Sequence, residues 1–431
     1  MAIRKLDLNI KNPCSCGKTH DRVTKNILIG ENMTEPLIDF IRNNFGNNAK
    51  GCIICDKNTY KAAKNMIAAL ENAGSCEVVK LDINSHHASE SMLRESEMIL
   101  DGKSFDYFIA AGSGTIHDIT RVAAYKRNAP FISYPTAPSV DGFVSGVAPI
   151  TTDDGMKITL QSSAPVAMFA DIDVLSDAPK RLAASGVGDI LGKYTALADW
   201  RIANLLTGEY ICEETVKLEY AAVKKVTDSI VEFGKNKDAE SYRKFCADLL
   251  EALTISGMCM QYTGNSRPAS GGEHHIAHFF EMGIILSTDC LHGENVGIGS
   301  ILCADLYHRF AESGNIKFTA NYGIEYDLLK KYYKNIYDEI IKENAPNSIA
   351  NVSPENFYEN LENIKNIIAE IPSKDEFINL LNIVDGVKDI NGIKAYDLKC
   401  GESEIAPLSL RLAPYIRNRL TLLKLMRCIE I

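Results

Sequence analysis

No stretch of eighteen consecutive apolar residues occurs in this 431-residue chain, so a membrane-spanning helix is not expected. The opening residues, MAIRKLDLNIKN, lack the apolar core of a secretory signal. Excess positive charge is missing as well. Lys and Arg number 46 against 56 Asp and Glu, a formal net charge of −10, which argues against nucleic acid or an anionic membrane as the main partner. A local pocket for an anionic metabolite remains compatible with that balance. Internal repeats and low-complexity stretches are also absent. A soluble, cytoplasmic protein is expected, with neither nucleic acid nor a membrane as its partner.

What is present is an ordinary globular composition, 46% apolar, in a chain too long for one core. Two domains are expected, residues 1–180 and 181–431. Twelve cysteines in a long intracellular chain are expected to be reduced and mostly buried. Cys52 and Cys55 have redox spacing, but they lie in the apolar run GCIIC and read as strand core. Cys14, Cys16 and His20 have the spacing of a metal clip with no fourth ligand nearby in sequence. A structured turn and a bound metal are the two readings there.

Apolar runs at 26–30, 51–55, 76–81, 107–112 and 131–135 alternate with helix-like segments 35–45, 57–73, 89–100 and 115–128. Runs without strict alternation, separated by helices, predict a parallel sheet covered on both faces. The first domain is therefore expected to be α/β, Rossmann-like and doubly wound. Asn58 is the expected N-cap, and Gly74 the expected C′ residue, of a 57–73 helix. Residues 141–175 read as a connection bearing a hairpin turn at Asp153-Asp154-Gly155, followed by a strand VAMFADIDVL. From about 177 the pattern becomes helical, with segments 188–206, 213–233, 239–262, 273–285, 293–312, 325–343, 354–370 and 408–428 and a loop at 344–352. The second domain is expected to be all-α.

Ligands of such sheets bind at the carboxyl ends of the strands. Those ends carry Asp56, then Gly112-Ser113-Gly114-Thr115, then Thr136-Ala137-Pro138-Ser139. The glycine loop fits a phosphate at a helix start or a plain turn. It is not the dinucleotide fingerprint, because His117 stands at the third glycine position. Asp56 suits ribose hydroxyls, a helix cap, or both.

The densest chemistry lies in SRPASGGEHHIAHFFEM (266–282) and CLHGENVGIG (290–299), which hold His274, His275, His278 and His292. On a helix, His274 and His278 share one face about 5–6 Å apart. Asp189, in Gly186-Val-Gly188-Asp189, is placed near the N-terminus of the 188–206 helix, where the dipole favours a carboxylate. One carboxylate and two imidazoles suit zinc, nickel or iron and leave positions for a substrate oxygen.

The ordered set GSGTxxD, TAPSxDGxxS, GxGDxxGK, SRPASGxEHxxxH and HGExVxxG resembles the sn-glycerol-1-phosphate dehydrogenases. They belong to the superfamily of iron-dependent alcohol dehydrogenase, glycerol dehydrogenase and dehydroquinate synthase. The resemblance covers residues 10–430 and implies a dehydroquinate synthase-like fold. It further implies NAD(H)- or NADP(H)-dependent reduction of dihydroxyacetone phosphate to sn-glycerol 1-phosphate and the reverse, in lipid biosynthesis. Carried over by position, Asp189, His274 and His292 are implied to hold one divalent metal ion. His278 is implied to contact substrate, Asp141 to bind its hydroxyls, and Asp189 and His278 to be catalytic. Asp56, Gly114, Thr115, Ile116, His117, Asp118, Thr136, Ala137, Pro138, Ser139 and Ser145 match cofactor positions. Ser113 stands where the family often has the middle glycine of Gly-Gly-Gly, and it is still small. His275 is left as a residue supporting the ligands, and Arg267 and Lys193 are the candidates for the substrate phosphate, with a structural ion pair the equal alternative for each. A homo-oligomer, dimer or larger, is expected. Rival readings are an unphosphorylated-polyol dehydrogenase, a dehydroquinate-synthase-like lyase and a catalytically silent sensor on the same fold.

Overall fold

The computed structural model describes residues 2–74, 76–83, 87–319 and 322–431. They form two compact units, one of residues 1–186 and 224–264, the other of 187–223 and 265–431. The expected contiguous split at 180/181 differs from this division, because a helix from the later sequence, 239–263, packs with the sheet-bearing unit.

In the first unit the strands are β1 (Arg4–Lys5), β2 (Asn26–Gly30), β3 (Gly51–Asp56), β4 (Cys76–Leu81), β5 (Tyr107–Gly112), β6 (Phe131–Pro135), β7 (Val147–Thr151), β8 (Lys157–Gln161) and β9 (Ala167–Asp171). Seven of them make one sheet in the order β1-β2-β9-β6-β5-β3-β4. Only β1 is antiparallel to its neighbour; the other pairings are parallel. β7 and β8 form the expected hairpin as a separate antiparallel pair.

The helices over this sheet are α1 (Thr34–Phe45), α2 (Lys57–Ala62), α3 (Lys64–Asn72), α4 (Glu90–Leu100) and α5 (Gly114–Lys126). Alternate strand residues divide between two cores. Ile53, Tyr107 and Ile109 pack with Leu37, Ile41, Met66 and Leu70 of α1 and α3. Ile54, Phe108 and Ala110 pack with Met92, Leu93, Ile116 and Ile119 of α4 and α5. Because both faces are covered, β5 and β6 are buried along their whole length, and their sequences show no polar alternation. Cys52 and Cys55 lie inside β3, and burial raises their thiols to about 12 and about 11, so they are inert core residues.

The next helices along the chain are α6 (Ile172–Ser176), α7 (Lys180–Leu191), α8 (Lys193–Thr207), α9 (Glu213–Asn236), α10 (Ala239–Thr263), α11 (Gly272–Glu281) and α12 (His292–Glu312). α10 packs on α6 and on the 3-10 turn Asp141–Val144 of its own unit. The second unit is helical among its described residues except for a short pair, Lys317–Phe318 with Ile429–Glu430. Among the described residues no helix is long and apolar enough to cross a membrane.

Several expected boundaries move. The 188–206 helix is two helices that break at Gly192, so Asp189 sits in the last turn of α7, where the dipole disfavours a carboxylate. Asp56, not Asn58, caps α2, accepting from the backbone N–H of Asn58 at 2.6 Å and Thr59 at 3.0 Å. Gly74 does take the left-handed position after α3, with φ +69°. VAMFADIDVL stops being a strand at Asp171, whose carboxylate accepts the Asp173 N–H at 3.0 Å and starts α6. The expected 408–428 helix ends at Leu412, since Pro414 can neither donate to the turn behind it nor fit its carbonyl.

Arg121 of α5 is fully buried and ties the 142–147 segment down. Its guanidinium donates to the carbonyls of Ser145 at 2.7 Å and Val147 at 2.8 Å, and also to that of Gly142. Arg121→Met should strand these acceptors and cost about 3 kcal/mol or more. Urea unfolding measures it, and a loss below about 1 kcal/mol would refute the role.

Candidate active site

In the second unit the end of α7, the start of α11 and the start of α12 converge through glycines. A methyl group on Gly188 would lie 2.0 Å from the Gly293 carbonyl oxygen, and one on Gly299 would lie 2.3 Å from that of Glu273. The helices therefore meet backbone to backbone, closer than any side chain permits. This contact brings one donor atom each of Asp189, His274 and His292 within 4.8 Å of one another. His274 Nε2 is 3.7 Å from Asp189 Oδ1, and the rings of His274 and His292 have centroids 5.3 Å apart.

Each imidazole is held from behind by a carboxylate. Glu273 Oε1 lies 2.8 Å from His274 Nδ1, and Glu281 Oε1 lies 2.6 Å from His292 Nδ1. A carboxylate acceptor fixes the proton on Nδ1 and leaves the Nε2 lone pair for a metal. Glu273 is itself saturated by the Thr195 hydroxyl at 2.7 Å and the Gly271 N–H at 2.7 Å. Burial works against its charge, but the bonds from His274, Thr195 and Gly271 bring its pKa below the usual value. Asp189 is likewise lowered: burial opposes ionisation, and Lys193 leads His292 and His274 in overcoming it. Lys193 Nζ donates to Asp189 Oδ1 at 2.7 Å and to the Ala269 carbonyl at 3.1 Å, which offsets the unfavourable helix-end position. The donor set therefore fits a divalent metal by its chemistry: one anion and two oriented imidazoles.

His278 stands one turn beyond His274, with ring centroids 6.1 Å from His274 and 5.9 Å from His292. It also groups with Glu281 and His292 within ligand distance. The Asp189 grouping is the better metal site, since Glu281 is already committed to His292 Nδ1. His275 is not the support it was expected to be. One residue on from His274 it points about 100° away, is buried, and neither ring nitrogen has a hydrogen bond among the described residues. The supporting residues are Glu273 and Glu281, which sequence reasoning missed; Glu273 adjoins His274, but nothing local marked Glu281. Arg267 is not a free phosphate donor either, because it is paired with Glu209 and donates to the Leu420 carbonyl at 2.9 Å.

In the first unit, the sequence-predicted nucleotide residues gather at the carboxyl ends of the adjacent strands β3, β5 and β6. The Thr136 N–H donates to the Gly112 carbonyl at 3.1 Å, which sets the 136–139 segment beside the glycine loop. Ser113, Gly114, Thr115 and Asp118 are partly exposed at the start of α5. Ile116 and His117 face inward, and the His117 backbone N–H donates to the Ser113 carbonyl at 3.1 Å. His117 supports the loop from below, with Nδ1 3.0 Å from the Ser113 carbonyl and Nε2 2.7 Å from Ser133 Oγ. Thr136, Ala137 and Ser139 are buried just past the end of β6, Ser145 is buried just past the 3-10 turn Asp141–Val144, and Pro138 closes against Gly186, where a methyl group would lie 2.0 Å from the Pro138 carbonyl. Asp56 uses Oδ1 for both cap bonds. Asp141 is buried on the 3-10 turn and accepts from the Ser256 hydroxyl at 3.0 Å.

An open parallel sheet with a phosphate-type loop, accompanied by a helical unit that orients two imidazoles beside a carboxylate, defines the class of iron-containing alcohol dehydrogenases. The family model "Iron-containing alcohol dehydrogenase" matches residues 28–179. A solved iron-containing alcohol dehydrogenase superimposes with TM-score 0.54 at 16% identity, covering 92% of this chain and 99% of that one. Glycerol-1-phosphate dehydrogenase [NAD(P)+] of Bacillus velezensis is 42% identical over 67% of this chain and 72% of its own length. The protein of the same name from Geobacillus stearothermophilus is 30% identical over 88% of each. The chain belongs to the glycerol-1-phosphate dehydrogenase family.

Two predictions follow from the packing and the charges. Gly188→Ala should part α7 from α12 and lower bound metal severalfold while far-ultraviolet dichroism stays unchanged; wild-type metal content in that variant would remove the close-approach argument. Burial holds His117 down to about 3, so the native ring is uncharged. The unfolded ring titrates near about 6.5, so its contribution is complete above that pH and is lost as pH falls towards 3. Thermal midpoints measured from about pH 8 to pH 5 should fall less with acid in His117→Gln than in the wild type.

Proposed function

We propose that this chain reduces dihydroxyacetone phosphate to sn-glycerol 1-phosphate, and runs the reverse reaction, with NAD(H) or NADP(H) and one divalent metal. The observation that carries the reading is the Asp189, His274 and His292 cluster with both imidazoles tied back by Glu273 and Glu281. It is supported by relatives named glycerol-1-phosphate dehydrogenase [NAD(P)+]. When bound, the metal would supply Lewis-acid polarisation of the ketone, and the nicotinamide a hydride.

This chain's residues do the remaining work. Asp189, His274 and His292 would hold the metal, with Lys193 balancing the aspartate charge. His278, beside both ligand histidines, is the proton donor to the nascent alkoxide, since imidazole titrates near neutral pH. Asp141, oriented by Ser256, accepts a substrate hydroxyl. Backbone N–H groups at Gly114, Thr115 and Ile116 face the cofactor pyrophosphate at the start of α5, and His117 and Asp118 hold the turn behind them, the His117 N–H donating to the Ser113 carbonyl at 3.1 Å. Asp56 keeps Oδ2 for ribose hydroxyls while Oδ1 caps α2, so the two roles coexist. Thr136 to Ser139 and Ser145 line the same edge. Zinc, nickel and iron all accept this ligand set. The proposed location is the cytoplasm, in keeping with twelve cysteines outside any disulfide, and the proposed assembly is a dimer or larger.

One observation favours a second reading, oxidation of an unphosphorylated polyol such as glycerol. Both cations that the sequence offered for phosphate, Arg267 and Lys193, are already committed to Glu209 and Asp189. Steady-state rates with glycerol 1-phosphate, glycerol 3-phosphate and glycerol decide between them. The main proposal expects kcat/KM for the 1-phosphate to exceed the other two by at least about tenfold, a gap of about 1.4 kcal/mol. Asp189→Ala should abolish turnover together with metal at this site. Full activity in metal-stripped Asp189→Ala protein would refute the mechanism.

A further inference from the structure

Residues 6–25 form a long irregular connection between β1 and β2, and they contain the one cysteine-histidine motif that the reaction does not use. Cys14 and His20 are buried there, and Cys16 is half-buried. The two sulfurs and one ring nitrogen of His20 all lie within 4.8 Å of one another. A tight turn makes this possible. Gly17, at φ +82°, donates to the Cys14 carbonyl at 3.0 Å, and the Cys14 N–H returns to the Lys18 carbonyl at 3.2 Å. Asn12 clasps His20 from the other side, its Oδ1 accepting the His20 N–H at 2.9 Å and its Nδ2 donating to the His20 carbonyl at 3.3 Å.

The histidine tautomer is set from behind. His20 Nδ1 lies 2.8 Å from the Tyr262 carbonyl oxygen, which can only accept, so the ring proton is on Nδ1. Nε2 therefore turns its lone pair towards Cys16 Sγ, 3.1 Å away. This is the backing that ligand histidines receive from a second group. In a tetrahedral zinc site, bonds of about 2.3 Å to sulfur and about 2.0 Å to nitrogen put those two donors about 3.6 Å apart. The observed spacing needs to open by only a few tenths of an ångström. A plain hydrogen-bonded turn requires the Cys16 thiol and His20 alone, and leaves the convergence of a second sulfur unexplained.

We propose that Cys14, Cys16 and His20 are three ligands of a structural zinc ion, a metal site additional to the one at Asp189. Binding releases the two thiol protons to solvent and ties an otherwise irregular segment to α10 through the Tyr262 carbonyl. Two thiolates and an imidazole select zinc among common divalent ions, with a fourth donor from outside the turn closing the tetrahedron.

The test uses the full-length chain purified under reducing conditions and dialysed. Asp189→Ala removes the anionic ligand of the other centre, and this variant is expected to retain one zinc per chain by mass spectrometric metal analysis. No retained zinc overturns the proposal. Adding Cys16→Ser should remove that zinc, and an unchanged stoichiometry overturns it as well. Replacement by cobalt gives a readout that needs no substitution. A near-ultraviolet thiolate-to-cobalt band is expected, which the sulfur-free Asp189, His274 and His292 set cannot produce; its absence counts against the site. A metal-free chain about two mass units light without reductant, with the deficit mapped to the peptide that holds Cys14 and Cys16, would identify a disulfide between them instead and overturn the assignment.

Discussion

The approach of α12 to α7 and α11 without intervening side chains is the constraint on which the rest of the second unit depends. At ordinary helix spacing the interaxial distance is about 8–10 Å, and side chains keep the backbones apart. Glycine at 188 and at 299 removes the atoms that enforce that spacing, so carbonyl oxygens of Gly293 and Glu273 occupy the space of a methyl group. His292, the first residue of α12, then faces Asp189 at the end of α7, and Glu273 in the first turn of α11 sets its backbone against Gly299 of α12. Stiffness is a consequence, because helices in backbone contact have no side chains to repack.

Burial of several charges at that junction is the second theme. Each ion loses hydration, and each is compensated by a specific neighbour rather than by solvent. Asp189 has Lys193; Glu273 has an imidazole, a hydroxyl and a backbone N–H. The first unit solves the same problem differently. His117 is kept uncharged under the glycine loop, and Arg121 keeps its charge by donating to three carbonyls of the 142–147 segment. Fixed dipoles and paired ions leave little to reorganise when a ligand arrives, which favours catalysis of a charge-developing step.

Part of this was legible in the residues because the signals are local. Uninterrupted apolar runs separated by amphipathic helices encode a sheet covered on both faces, and β5 and β6 show it plainly. Spacing of four encodes a shared helix face, and His274 and His278 lie on one. Helix boundaries were less legible, since a break such as Gly192 or an end such as Leu412 depends on packing as much as on propensity. Asp189 illustrates the cost of misplacing one: read at the start of a helix it needs no partner, whereas at the end of α7 it needs Lys193.

Residues that support other residues were the least legible. Glu281 is eleven positions from His292, and no pattern in one dimension links them; the angle between α11 and α12 does. In one dimension Arg267 fits a substrate phosphate or a structural ion pair equally well; Glu209, 58 positions away, makes it an ion pair. The sequence alone therefore determined the fold class and the types and order of the chemical groups, because periodicity and composition act over a few residues. Which imidazole nitrogen is free, which cation is already paired and which histidine is idle were decided only by the tertiary structure. Those properties depend on distances between segments that are remote along the chain.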